Sequence, residues 1–472
     1  MDILLIDPPY ISLKGIATDC GYNIGLTSLA AYLRRDGIEA AILSGDLLAE
    51  ELTPSSTWTD LEVYAAGQRK YEKIVNDKSH IVWKKLVAFV SQTKPTAVGI
   101  QYYTPSKYSV ERIAGLIREI NPDIKIIVGA FHPTFCPEEV MVNQDIDFAI
   151  RGEGEIPLLR LVQEFKKAKP KWETVPGIHY RDQNGQVLSN PGVSLIDNLD
   201  ELPFPARDLV LNCDYNIYRD HCICTARGCP YTCSFCGDKR LWGGKVRRRS
   251  VESVIKELKL LKDTYTVNTV DIVDGTFTFD RKYLVAFCKA LIDQRLGLNW
   301  RCTARYDTID EEVLHLMKRA NCSGLYFGLE SGNDKVLKAI DKKTTTEQII
   351  RKSEIAYDSG IFIATSIIIG LPYETKEDME ETLKFVKRIK TSILDVNSYT
   401  PLPGTPLWDT LSEDDKKKID WRKVGLKSVD NYFSKLISPD DLKKCLAEAY
   451  TIAKNVQSQT LARYSAGNNS LQ

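Results

Sequence analysis

Two stretches of this chain alternate short β-type runs with helical runs, and that alternation confines each to a layered α/β fold built on a parallel sheet. In the first, DILLID (2–7) precedes a helical run closed by a glycine, Gly25 to Gly37, and a second β-type run, Glu39 to Leu43. A charged helical stretch from about Leu61 to Gln92 leads to TAVGIQYY, helical SVERIAGLIREINP, IKIIVGA, and DFAI at Asp147 to Ile150. This order predicts a doubly wound sheet domain over residues 1–162, with Gly99 and Gly129 at strand ends where backbone can approach a ligand. Residues 163–218 lose the period and read as a linker region: KKAKPKWETVPG is a surface connection, IHYRDQNGQVLS a hairpin turning at Asn184-Gly185, and ELPFPARDLV carries prolines. From 219 to 408 β-type runs return near TVDIVD, LNWRCTAR, SGLYFGLES, FIATSIIIG and LDVNSYT, at the interval of a barrel or partial barrel whose chemistry sits after the strand ends. Residues 409–472 read as a mostly helical region packed across the barrel or its open edge.

Composition narrows the class. With 63 basic and 63 acidic side chains in 472 residues, the chain offers no general field to nucleic acid or anionic lipid, and nucleic acid is not an expected partner. MDILLIDPPY is interrupted by Asp2 and Asp7 and is too short for a signal-peptide core. The longest apolar stretch, around Ile361 to Leu371, contains Thr365, Ser366 and Gly370 and suits a buried strand, so no membrane span and a cytoplasmic address are expected. In that setting the 12 cysteines are buried hydrophobes or metal ligands, and their spacing decides.

Cys229, Cys233 and Cys236 in RGCPYTCSFC have the spacing C-x3-C-x2-C. Three thiolates on one loop can hold three irons of a [4Fe–4S] cube and leave the fourth open to another ligand. A zinc knuckle using Cys222 or Cys224 as a fourth ligand is the other reading of the same loop. The remaining cysteines, at 20, 136, 213, 288, 302, 322 and 445, form no compact set, so a second cluster is not expected.

This motif, followed in order by VDGTFTFD, CTARYDTID, LYFGLESGND, IIIGLPYET and TPLPGTPLWD, resembles the radical S-adenosylmethionine enzymes over residues 222–408. The resemblance implies a partial (β/α)6 TIM barrel, Cys229, Cys233 and Cys236 as cluster ligands, and Phe235 beside the adenine. It also implies that S-adenosylmethionine chelates the fourth iron and is cleaved by one electron to methionine and a 5′-deoxyadenosyl radical, the electron coming from a flavodoxin- or ferredoxin-type donor. Asp271 and Asp274 fall where the family faces the methionine amino group, although Asp274-Gly275 stands where relatives often carry two acidic residues. Arg305 suits a cofactor carboxylate or a substrate anion, with a salt bridge to Asp307 or Asp310 as the alternative. Glu330 can accept hydrogen bonds from an amine or ribose hydroxyls, or pair with Lys335. Gly370 lets a nucleoside lie against main chain, and Tyr399 opens the loop after the next strand and shapes the cavity. Cys222 and Cys224 can touch substrate, serve as an acid or thiol reductant, or pack beneath the cluster. The basic run of Lys245 and Arg247 to Arg249 either helps bind a phosphate-bearing substrate or an electron donor, or is a solvated face.

The first domain is similar to the cobalamin-binding domain that precedes this barrel in one branch of the family, through GLTSLAAYLRRDG, KPTAVGIQYYT, IKIIVGAFHPTF and FAIRGEGE. That similarity implies a corrinoid between the carboxyl edge of the sheet and the barrel mouth, near Tyr102, Tyr103, Thr104, Gly129, Ala130, His132 and Glu153. Two departures stand out. Asp7-Pro8-Pro9-Tyr10 replaces the loop that supplies an axial histidine in many such domains, and Gly129-Ala130 replaces a common glycine pair. The combined resemblance implies cobalamin-dependent methyl transfer to a carbon of a small-molecule substrate. The alternative is a radical dehydratase, cyclase, oxidase or rearrangement enzyme that transfers no methyl group, its first domain a wall without a corrinoid.

Overall fold

The computed structural model describes residues 1–10, 23–48, 61–213, 220–423, 425, 427, 433, 434 and 436–468. Five parallel strands form most of the first sheet: β1 (Ile3–Asp7), β2 (Ala40–Ser44), β3 (Ala97–Gln101), β4 (Lys125–Gly129) and β5 (Phe148–Ile150). Their central residues are apolar because both faces are buried, and polar residues such as Asp7, Ser44, Gln101 and Lys125 stand only at strand ends. Successive residues of β1 split between two cores, Leu4 and Ile6 into one and Ile3 and Leu5 into the other. The first core is closed by helices at 61–76, 81–93 and 107–120, the second by helices at 24–35 and 155–165. The charged helical stretch expected at 61–92 is thus two helices, broken where Asp77 Oδ1 accepts from Ser79 N at 2.9 Å.

The order β2-β1-β3-β4-β5 reverses between β1 and β3, and the carboxyl ends at such a reversal leave a crevice. The hairpin expected at Asn184-Gly185 is present as β6 (Ile178–Arg181) and β7 (Val187–Ser189), and β6 pairs antiparallel with β5. The segment read as a connection therefore carries the last two strands of a seven-stranded sheet.

The second sheet has six parallel strands in the order β15-β14-β13-β12-β11-β8. They are β8 (Asp220–Ile223), β11 (Thr269–Ile272), β12 (Asn299–Ala304), β13 (Cys322–Glu330), β14 (Phe362–Ile369) and β15 (Ile393–Ser398). Between β8 and β11 lies a small antiparallel ladder, β9 (Ala226–Arg227) with β10 (Arg247–Arg248). One face of each strand feeds a single core with the surrounding helices, as with Leu325, Phe327 and Leu329 of β13. The other face is polar and carries Asp271, Arg301, Tyr326, Glu330 and Asp395.

Among the described residues no pairing joins β8 to β15, so the sheet is open. The helix Pro439–Asn468 covers the β15 edge, as expected of the helical carboxyl region. Tyr450 Oη donates to Val396 O at 3.1 Å and Thr460 Oγ1 to Ser392 O at 2.7 Å, satisfying carbonyls that an open edge leaves unpaired. No helix among the described residues is long and apolar enough to cross a membrane.

Candidate active site between the two sheets

The cysteine loop begins where β8 ends, and buried charges hold its approach. Asp274, just past β11, accepts from Thr225 N at 2.7 Å and Ala226 N at 3.0 Å through Oδ1, and from Thr225 Oγ1 through Oδ2. Its carboxylate hydrogen-bonds the chain, at the position where the resemblance places backbone and polar side chains facing a cofactor amine. Arg207 donates to Cys222 O at 2.7 Å and to Glu257 at 2.9 Å, while Arg249 reaches the other Glu257 oxygen at 2.5 Å and Cys224 O at 3.2 Å. A buried carboxylate between two guanidiniums thereby fixes both carbonyls of the strand end. Gly228 takes φ +101°, and a side chain there would meet Lys245 O at 2.1 Å, so the turn into Cys229 needs glycine.

Further along, Ser234 N donates to Ile340 O at 3.0 Å, and Leu407 N to Ser234 O at 2.9 Å. Arg305 braces the loop from below. Its guanidinium stacks 3.7 Å from the Tyr231 ring centroid, donates to Lys342 O at 2.5 Å and lies 3.9 Å from Cys233 Sγ. It also pairs with Asp307 at 2.9 Å while only 3% exposed, so the salt bridge exists but is buried in the site; Asp310 pairs with Arg281 instead.

Cys229, Cys233 and Cys236 are free thiols on this loop. Burial first, then the charges of Asp238, Cys233 and Cys229, push the Cys236 thiol up to about 12. Such clustered thiols ionise readily only when a metal takes the charge. Among the described residues no three His, Cys, Asp or Glu side chains converge on a single metal ion. In a cube each thiolate takes a different iron, so three thiols on one loop can serve without converging on a single ion. The Cys224 thiol donates to Ala226 O at 3.1 Å, and Cys222 is buried. Of the other cysteines, Cys20 lies outside the described residues.

The polar face of the second sheet lies beside the loop. Glu330, at φ 69°, accepts from Lys342 Nζ at 2.7 Å, both side chains being buried, and Lys342 Nζ sits 6.0 Å from the Phe235 ring. Lys335, the alternative partner of Glu330, pairs with Asp378. Asp271 holds Arg301 of the neighbouring strand in a fork at 2.6 and 2.7 Å. Gly370 takes the left-handed region at φ +85°, and a side chain there would meet Leu442 of the carboxyl helix at 2.8 Å. Tyr399 is buried edge-on to Phe433, and its hydroxyl has no hydrogen-bond partner among the described residues.

Sequence reasoning missed a network here in which Asp395 gathers Tyr326 Oη at 2.5 Å, Asn397 Nδ2 at 3.1 Å and buried Lys427. It also missed Glu374. That carboxylate accepts from Gly370 N and Leu371 N at 2.8 Å, and burial pushes it up to about 8.

A cavity of about 550 Å³ separates the sheets. Gly99, Gln101, Tyr103, Gly129 and Ala130 wall it on one side, and Cys222, Cys224, Asp238, Trp242 and Gly275 on the other. Its size is that of a small-molecule site. Of the residues expected around a corrinoid, Tyr103, Gly129, Ala130 and Glu153 line it; Tyr102, Thr104 and His132 do not. Tyr102 stacks on His132 at 4.6 Å, Thr104 Oγ1 lies 3.1 Å from His132 Nδ1, and burial lowers the imidazole to about 4. These three form a neutral packing unit behind the wall. Ala130 takes φ 87° and ψ −153°, a region open essentially to glycine alone, which explains the glycine common at that place. Glu153 turns its carboxylate onto Arg247 at 2.5 Å and Ile196 N at 2.8 Å. In the basic run Arg247 and Arg249 are buried and Arg248 stacks 4.2 Å from the Tyr283 ring centroid, leaving Lys245 as its solvated member.

Residues 223–386 match the radical SAM superfamily, and residues 15–162 match the B12 binding domain. An uncharacterised methyltransferase of Pyrococcus horikoshii is 30% identical over 456 residues, 95% of this chain and 92% of that one. An anaerobic magnesium-protoporphyrin IX monomethyl ester cyclase of Rubrivivax gelatinosus is 31% identical over 75% of this chain and 64% of its own. Among solved structures, the cobalamin-dependent S-adenosylmethionine radical enzyme OxsB with aqua-cobalamin and S-adenosylmethionine bound shares the fold. Its TM-score is 0.72 at 19% identity, over 94% of this chain and 66% of that one.

The chain belongs to the radical S-adenosylmethionine superfamily, in the group whose radical domain follows a B12 binding domain. Its cofactors are a [4Fe–4S] cluster, S-adenosylmethionine and cobalamin. The residues present fit them: three free thiols on a clamped loop for the cluster, and a glycine-edged cavity at the strand reversal for the corrinoid. No histidine lines that cavity among the described residues.

Proposed function

We propose that this radical enzyme abstracts a hydrogen from a small molecule held between its two sheets, and that the substrate radical then rearranges, closes a ring or loses a group without obligatory methyl transfer. The observation that supports this most is the shared cavity, whose walls come from the B12-binding sheet on one side and the approach to the cysteine loop on the other. When bound, the cluster and S-adenosylmethionine supply a 5′-deoxyadenosyl radical, and the corrinoid supplies a redox-active or group-carrying metal beside it.

The chain's own residues do the rest. Cys229, Cys233 and Cys236 hold the cluster, with the loop fixed by Asp274, Arg305 and the Arg207–Glu257–Arg249 clamp. Lys342 and Glu330 offer an ammonium and a carboxylate beside Phe235, suited to the carboxylate and amine of an amino acid moiety. Cys224, whose thiol burial pushes up to about 12, stays protonated at neutral pH and can donate hydrogen into the cavity. Leu5, Ile100 and Ile127 give the cavity an apolar lining, which disfavours water there. We assign corrinoid binding to residues 1–162, radical chemistry to 219–408 and cover of the open edge to 409–472, with 163–218 joining the first two. A flavodoxin- or ferredoxin-type protein delivers the electron, in the cytoplasm.

The 31% identity to a cyclase favours this reading. Methyl transfer is the second reading, favoured by the full-length similarity to an uncharacterised methyltransferase. Nucleoside counting per product molecule separates them. One 5′-deoxyadenosine without matching S-adenosylhomocysteine supports the first; both nucleosides in step with product overturn it in favour of the second.

A further inference from the structure

Four buried charges join the first domain to the cysteine loop. Arg227, two residues before Cys229, and Arg247 lie directly opposite one another in the β9–β10 ladder. Their guanidiniums face the carboxylates of Gly152-Glu153-Gly154-Glu155, at the start of the helix 155–165. Arg227 reaches Glu155, and Glu153 at 3.4 Å; Arg247 reaches Glu153 at 2.5 Å and donates to Ile196 O at 2.8 Å. Side-chain exposures are 12% and 6% for the arginines and 2% and 4% for the glutamates, so the two positive and two negative charges are compensated in a largely dry place.

The network continues to the far side of the loop. Both guanidiniums lie over the Trp242 ring, at 5.6 and 5.8 Å, and Trp242 Nε1 donates to Asp238 Oδ1 at 2.8 Å, two residues beyond Cys236. The cysteine loop is therefore bracketed, by Arg227 before it and by Asp238 and Trp242 after it, and both brackets end on two glutamates of the other domain. Arg227, Asp238, Trp242 and both glutamates also line the cavity.

We infer that Arg227 is a positioning residue: it fixes the cysteine loop to the wall of the B12-binding domain, so that the open coordination site of the cluster meets S-adenosylmethionine at a place set by that domain. A guanidinium suits this because its planar fork holds two carboxylates in one fixed geometry, whereas an ammonium is a rotatable point charge on a flexible stem.

The inference rests on the assignment of Cys229, Cys233 and Cys236 to the cluster, and its test uses the full-length chain reconstituted with iron and sulfide. Arg227→Lys and Glu155→Gln each break the network, and Arg227→Gln with Glu155→Gln replaces one ion pair by a neutral one. The expected result is full iron content in all three. Perturbation of the reduced cluster's EPR signal by S-adenosylmethionine should require at least tenfold more ligand in the single variants. The double variant should regain the wild-type melting temperature but not the wild-type response to S-adenosylmethionine, because neutrality is restored and the fork is not. Singles that titrate like wild type overturn the inference. So does a double variant that cannot assemble a cluster, since the network is then only a folding element. A wild-type chain that binds no cluster overturns the ligand assignment instead, and the two failures are distinct.

Discussion

Replacing Asp274 separates a residue that holds the chain from one that holds a cofactor. The carboxylate is 3% exposed and accepts three hydrogen bonds from residues 225 and 226. Asp274→Ala leaves two backbone N–H groups and a hydroxyl buried without an acceptor, at about 1–3 kcal/mol each, or about 3–6 kcal/mol after partial relaxation. That is a large share of the stability of a domain, about 5–15 kcal/mol. Asp274→Asn keeps the Oδ1 acceptor for both amides, and its NH2 can donate to Thr225 Oγ1 once the hydroxyl turns, so the cost should be within about 1 kcal/mol. Urea unfolding followed by tryptophan fluorescence, with iron content measured on the same preparations, reads both effects. The alanine variant should unfold at much lower urea and lose iron, while the asparagine variant should match wild type in both and still cleave S-adenosylmethionine. An alanine variant of wild-type stability, or a stable, iron-replete asparagine variant unable to cleave, refutes the assignment of Asp274 to the loop.

Ala130→Gly should relieve a backbone strain of about 1–3 kcal/mol, less about 0.5–1 kcal/mol of added chain entropy, and raise the first melting transition by about 3–6 °C; an unchanged or lower transition counts against the strain. Glu374 keeps in the folded chain, up to about pH 8, a proton that the unfolded chain releases near its usual 4.5. Stability should therefore fall as pH rises through that window, by at most about 1.4 kcal/mol per pH unit, and Glu374→Gln should flatten the dependence in urea titrations at several pH values. Alanine at Cys229, Cys233 or Cys236 should abolish the broad visible absorption of the reconstituted cluster and leave the B12-binding domain folded by circular dichroism. Alanine at Cys224 should keep that absorption and lower product yield, and loss of the cluster in this variant would put Cys224 among the ligands.

The parts of this molecule legible in its sequence are those written locally. The cysteine spacing, the strand runs and the Asn184-Gly185 turn each lie within a dozen residues, and the structure keeps them in place. The doubly wound parallel sheet follows from alternating helices and strands, while its order β2-β1-β3-β4-β5 is seen only in the structure. What the sequence hid was assembled at a distance. Arg207 meets Glu257 across 50 residues, Glu155 meets Arg227 across 72, and Lys427 meets Asp395 from a region with no strand pattern to announce it. Asp271 and Asp274 look alike as strand-end carboxylates, yet one is spent on Arg301 and the other on the loop backbone, because each faces a different neighbour. Likewise Tyr102 and Tyr103 are adjacent in sequence just past β3, and one stacks on His132 behind the cavity wall while the other lines it.

The central claim is that a cluster on Cys229, Cys233 and Cys236 performs reductive cleavage of S-adenosylmethionine. The direct measurement is nucleoside analysis of the reconstituted chain after dithionite reduction in the presence of S-adenosylmethionine, beside Cys233→Ala prepared in parallel. The account predicts 5′-deoxyadenosine and methionine in equal amounts from the wild-type chain, and neither from the variant. A wild-type chain carrying four irons that releases no 5′-deoxyadenosine, or a Cys233→Ala chain that releases it at the wild-type rate, would contradict it.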